Sequence, residues 1–346
     1  MPPTADEQIH FLVKLQRLLD EGQFVASYKF ALLLALADLS VESGDDTGAT
    51  LTLSVEIIAE KFIQYYWRQV VPYPTPAQAR VLQQNTGKQA AILNTVRDAR
   101  GRYGDSLPAM LNRPSWKLLV REVAAVVRVM PLWKLQTVGQ ECLDFLYENS
   151  GLGRKIELRP GVAYCFRKFH GLISDLVRGA WVRFVRQQNM DVLGETADLN
   201  EFLFGSERAS LSAVRPVLME IQGGACFYCG SGLKPMNTEV DHFIAWARYP
   251  VDLGHNFVLA DRACNGKKRD RLPAVFHLAA WTKRNERFGA QIRAGLKERG
   301  IVAELAASNQ VAHWAYAQAE AANALTWARA DEMVALDARW RNLLDA

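Results

Sequence analysis

No stretch of about 18 apolar residues occurs anywhere in this 346-residue sequence, so no bilayer-crossing helix is expected. The opening residues, MPPTADEQIH, lack the basic-then-apolar layout of a secretory leader, and the expected compartment is the cytoplasm, with no membrane partner. Cysteine is scarce. There are five, and Cys142 and Cys165 stand far from the other three, which argues against a disulfide framework. Cys226, Cys229 and Cys264 are left as a candidate metal set. No internal repeat and no low-complexity tract is present, which excludes solenoid architectures. The Gly-Lys pair in NTGKQAA (85–91) has Leu82 where a phosphate-binding loop needs its first glycine, so nucleotide binding there is excluded.

What is present begins with apolar content, at 49% enough for a sizeable core. The net charge of +4 is modest but uneven. Residues 1–60 hold three Lys/Arg against ten Asp/Glu, and residues 61–140 hold twelve against three. The later blocks are near neutral. A basic block beside an acidic one points to a polyanionic partner, with a solvated helical surface as the other reading. The acidic start argues against adhesion to nucleic acid by the whole surface.

The first 220 residues read mostly as helices. IHFLVKLQRLL (9–19) has apolar residues at helical spacing, and SYKFALLLALADLS (27–40) is apolar almost all round, which predicts a buried helix. SVEIIAEKFIQYYWRQV (54–70) opens on Ser54 as N-cap and stops before PYPTP. Its Phe62, Tyr65, Tyr66 and Trp67 read as packing residues rather than base-stacking ones. KIELRPGVAYCF (155–166) predicts a short extended stretch and a turn. A further helix follows, with Arg178, Arg183 and Arg186 along one broad side. From 225 to 272 the character changes, as Gly, Cys, Asp and His become dense. After Pro273 the pattern is helical to the end, anchored by Trp281, Trp314, Trp327 and Trp340.

Chemistry concentrates in residues 225–272. CFYCG (226–230) is a Cys-x-x-Cys turn that aims two thiolates at one tetrahedral ion. EVDHF then predicts a short strand ending in Asp241 and His242, and HNFVLA a second strand headed by Asn256. Asp261 opens a turn, and CNGKKRD starts a helix carrying Cys264 and Asn265. Taken singly, Asp-His is a structural pair, Asn256 a turn residue and the cationic run a solvated face.

Jointly, CFYCG…VDHF…HNFVLADRACNGKK resembles the HNH endonucleases, built on a ββα-metal finger, in the variant whose last motif position is asparagine. The resemblance covers residues 225–272. It implies a mainly α protein in which helical N- and C-terminal regions flank a small ββα-metal finger with a zinc knuckle. The expected organisation is a helical domain at 1–222 for DNA grip or partner docking, the nuclease finger at 223–273 and a helical region at 274–346.

The family's chemistry transfers by position. His242 is the expected general base, and Asp241 and Asn265 the expected ligands of a catalytic Mg²⁺ or Mn²⁺. Asn256 is expected to bridge the loop backbone and orient His242. Cys226, Cys229 and Cys264 are the expected ligands of a structural Zn²⁺. Asp261 stands where relatives carry cysteine or histidine. It is the candidate fourth ligand, against readings as a helix cap alone, or with His255 or water in its place. Ala245 replaces a common proline, and Trp246 beside it reads as packing. Lys267, Lys268, Arg269 and Arg271 are expected to face phosphate. The implied activity is DNA phosphodiester hydrolysis, one strand at a time. The flanking helices resemble those of bacterial HNH proteins of restriction and phage defence, the Zorya-type nuclease among them, which implies further partners in a defence system. The rival readings are a binding or scaffold protein with a silent finger, and an HNH ribonuclease.

Overall fold

The structure is a computed structural model. It describes all residues except 74–78, 150–152, 194–197, 206–207, 300, 302 and 345–346. The prolines of PYPTP at 74 and 76 lie outside the described residues. The chain divides into two compact units, Met1–Gly205 and Ser206–Ala346. It is mainly helical, with small two-stranded antiparallel sheets.

The first unit runs α1 (Ala5–Glu21), α2 (Tyr28–Ser43), β1 (Leu51–Ser54), α3 (Val55–Gln69), α4 (Ala91–Tyr103), α5 (Leu107–Leu111), α6 (Ser115–Val129), α7 (Pro131–Lys134), β2 (Thr137–Val138), β3 (Glu141–Cys142), β4 (Lys155–Leu158), α8 (Val162–Lys168), α9 (His170–Gln188) and α10 (Leu199–Phe204). Helix α2 is buried on every side, as its all-round apolar pattern requires. Its fully buried carboxylate, Asp38, accepts from Tyr65 Oη at 2.6 Å and lies 2.8 Å from His170 Nε2. Ser54 caps α3 by accepting from the Ile57 N–H. Phe62, Tyr66 and Trp67 are core residues. The extended stretch at 155–158 pairs with β1, Leu51 opposite Leu158. The chain then turns directly into α8.

The second unit runs α11 (Arg208–Ile221), β5 (Thr238–His242), β6 (Phe257–Asp261), α12 (Arg262–Lys268), α13 (Val275–Glu298), α14 (Leu305–Ala321), β7 (Leu325–Arg329), β8 (Glu332–Ala335) and α15 (Trp340–Leu344). Gly223 and Gly224, both at positive φ, turn α11 into the Cys-x-x-Cys segment. Helix α11 packs on β5, β6 and α13, so it shares a core with the strands. That core joins Val214, Val217 and Leu218 to Phe257, Leu259, Ile292 and Leu296. Gly254 has no room for a side chain: a Cβ there would meet Leu296 Cδ1 at 2.6 Å.

The expectation of continuous helix after Pro273 is corrected by the β7–β8 hairpin. Alanines dominate 319–336 and favour helix intrinsically. Tertiary bonding overrides them: the Trp327 N–H donates to Leu272 O at 2.8 Å, and the Ala274 N–H to Trp327 O at 2.7 Å. Trp281, Trp314, Trp327 and Trp340 are all buried.

Candidate metal centre and active site

Strands β5 and β6 pair antiparallel, with His242 opposite Phe257 and Thr238 opposite Asp261. Helix α12 follows without a loop and packs on both strands. Three tethers fix the Cys-x-x-Cys turn. The Cys226 N–H donates to Ser231 O, the Gly230 N–H to Cys226 O, and the Phe227 N–H to Leu259 O of β6. Gly230 has φ +73°, a conformation that favours glycine.

This turn brings Cys226 and Cys229 to Asp261 and Cys264, with one donor atom from each within 4.8 Å of the others. Asp261 is both a cap and a member of the cluster. Its Oδ1 accepts from the Cys264 N–H at 2.8 Å, capping α12, while Oδ2 lies 3.1 Å from Cys229 Sγ. Partial burial works against its charge, but that N–H and the three thiols hold the carboxyl far below the usual carboxylate range. Burial and the neighbouring carboxylate push the Cys264 thiol up. Burial also raises Cys226. Three thiols and a carboxylate so closely set are a donor group compatible with a structural metal ion.

His255 is not part of this cluster. Its Nε2 lies 3.1 Å from Gly289 O, and burial pushes its imidazole down to about 4. The two roles of Asp261 separate by substitution. Asp261→Asn keeps a capping oxygen and Asp261→Ala keeps none. We expect Asp261→Ala to cost about 1 kcal/mol for the cap, and both variants to lower bound metal in purified protein. Full metal in Asp261→Asn would make the side chain a cap and nothing more.

The proposed catalytic residues surround the same strand pair. Asn256 ends a short turn before β6. Its Oδ1 accepts from the Ile244 N–H at 2.8 Å and its Nδ2 donates to Ile244 O at 2.9 Å. The segment just after His242 is thereby clamped. His242 Nε2 lies 2.8 Å from Asp252 Oδ1, and its ring meets Trp246 and Phe257. A carboxylate only accepts, so Nε2 is the donor in this pair, and in the neutral ring the lone pair falls on Nδ1. Sequence reasoning missed Asp252; an acidic residue in the loop between the two strands was the only signal.

Asp241 sits on the face of β5 that α12 covers. Residues two apart share a strand face, so Glu239 is there as well. Asn265 Nδ2 donates to Glu239 Oε2 at 2.8 Å, and Arg262 Nε to Glu239 Oε1 at 3.0 Å. Asp241 accepts from Tyr228 Oη at 2.6 Å, and the Lys268 ammonium lies 3.0 Å from its Oδ2. Lys268 also donates to His242 O at 2.8 Å. Burial, and then the Asp241 charge, hold the Tyr228 hydroxyl protonated well beyond its ordinary range.

Lys268 is therefore inside the protein, with its side chain fully covered, and not on the surface with its neighbours. Lys267 is exposed and paired with Asp331 at 2.8 Å. Arg269 is exposed, and Arg271 is partly exposed. No helix among the described residues is long and apolar enough to cross a membrane.

Residues 8–131, about a third of the chain and all in the first unit, match a family described as "Domain of unknown function (DUF8808)". No curated protein and no solved structure matches the chain.

Proposed function

We propose that the second unit is a metal-dependent endonuclease of the HNH type acting on DNA. The observation that carries this reading is the Asn256 clamp on Ile244, which fixes the strand end holding His242 while Asp252 fixes the imidazole. A general base needs a defined tautomer and a free lone pair, and this arrangement supplies both. His242 Nδ1 accepts the proton of the attacking water. Asp252 stabilises the imidazolium that results.

The Asp241 carboxylate is a cation seat already holding an ammonium, so a divalent ion must share it with Lys268 or take it over. Asn265 lies across the same β5–α12 interface. When bound there, Mg²⁺ or Mn²⁺ offsets charge on the leaving oxygen. For the cysteine cluster the best-fitting ion is Zn²⁺. Cys226, Cys229, Cys264 and Asp261, with donor atoms all within 4.8 Å of one another, would hold it as a four-coordinate structural ion. Its role is to fasten α12, and with it Asn265, to the Cys226–Cys229 turn. A place in restriction or phage defence follows from the resemblance of the flanking helices, and the neighbouring genes test it.

The test is nicking of supercoiled plasmid with Mg²⁺ or Mn²⁺, with single-stranded DNA and RNA run alongside. We expect His242→Ala to lose roughly 10²–10⁴ in rate. One observation favours a second reading: the Lys268–Asp241 pair suits a finger that binds nucleic acid without cutting it. Plasmid binding by clean wild-type protein, with no metal-dependent nicking, would select that reading. Cutting confined to RNA would select the ribonuclease.

A further inference from the structure

We propose that an exposed line of cations on α6 is a docking surface for the phosphate backbone of duplex DNA. At about 100° per residue, Lys117, Arg121 and Arg128 fall within about 40° of one another around the helix axis. All three are exposed, and the buried face made by Leu119, Val120, Val123, Ala124 and Val127 lies to one side of them, reaching the row's edge at Ala124. A rise of about 1.5 Å per residue makes the line roughly 16 Å long. One DNA strand presents a phosphate about every 3.4 Å of axis, so the line runs past four or five of them.

Two further cations lie near its start. Arg102 at the end of α4 and Arg113 just before α6 both stand over the Tyr103 ring, 6.0 Å and 5.7 Å from its centroid. Among the described residues, no carboxylate comes within ion-pair distance of Lys117, Arg121 or Arg128. Nearby Arg97 and Arg100 are paired, with Asp98 and Asp105. Cations left unpaired in a row are what a polyanion requires. Exposed Leu118 and Val129 lie to one side of the row, off its axis. Such a surface grips and positions without reading sequence. The line falls within the matched family region and gives that region a role.

This inference rests on the nuclease reading only for the choice of DNA as the polyanion. Its test contains no cleavage step. The full chain carrying His242→Ala is compared with the same chain carrying Lys117→Gln, Arg121→Gln and Arg128→Gln in addition, by anisotropy of a labelled DNA duplex across a salt series. All three substitutions are at exposed positions, and an unchanged melting midpoint checks the fold. We expect affinity to fall at least tenfold, and the slope of log K against log salt to shrink by about 2.7. Unchanged affinity and slope overturn the inference and leave the line to an acidic protein surface. Wild type that binds with this slope but never nicks sinks the nuclease reading and leaves the docking surface standing.

Discussion

Cys264→Ala is expected to empty the metal cluster and release the start of α12. Three thiols and Asp261 Oδ2 converge there, while Phe227 and Tyr228 between the two cysteines are anchored apart from the cluster, on Phe243, His277, Trp327 and Asp241, so the loss falls on the cysteine ends of the turn. In isolated zinc fingers the ion supplies about 10–16 kcal/mol, the whole of the folding energy. Here the Phe257, Leu259 and Ile292 core stands independently of the ion, so the loss is local. Metal content should drop from one ion per chain towards none. Amides of the turn and of α12 should lose hydrogen-exchange protection, while those of α13 keep theirs. Because Asn265 is the next residue, the nicking proposed above should be lost along with any bound metal. Wild-type protein purified without metal, yet fully protected in the turn, would show that the cluster is only packed thiols.

The second large effect is expected from Lys268→Met. The ammonium is fully covered, and Asp241 beside it is only 8% exposed. Removing the lysine leaves a buried carboxylate with the Tyr228 hydroxyl as its remaining donor. Breaking one side of such a pair costs about 3–5 kcal/mol. Removing both charges costs much less, so Asp241→Asn should restore most of the stability lost in Lys268→Met. Denaturant midpoints of the four proteins in this cycle measure the coupling. Additive losses would mean that the two charges do not interact.

Much of this site was legible in the sequence because its parts are local. The Cys-x-x-Cys spacing, the strand ending at His242 and the cap residue one position before α12 each depend on a few neighbouring residues. Lys268 was hidden by its company. Within Lys267, Lys268 and Arg269 every residue is cationic, so composition suggests one charged face. Helical phase says otherwise: Lys268 is three residues from Asn265 and four from Cys264, on the side that meets β5. Asp252 and Glu239 became site residues only through loop closure and strand pairing, which no local pattern encodes. The β7–β8 hairpin was lost for the same reason. Its partner is the Leu272–Ala274 backbone, more than fifty residues earlier.

The buried guanidinium of Arg284 has a consequence for engineering. It donates to Phe257 O and to His255 O, both at 2.6 Å, and Trp281 Nε1 joins it on His255 O at 3.0 Å. Trp281 also stacks on Phe243, with ring centroids 5.1 Å apart. A peptide cut out at residues 223–273 would keep all four residues of the cysteine cluster. It would lose these donors and expose the aromatic faces that α13 covers. The segment is thus not a portable cartridge: grafted alone onto another protein, it would carry its side chains without the scaffold that holds its second strand.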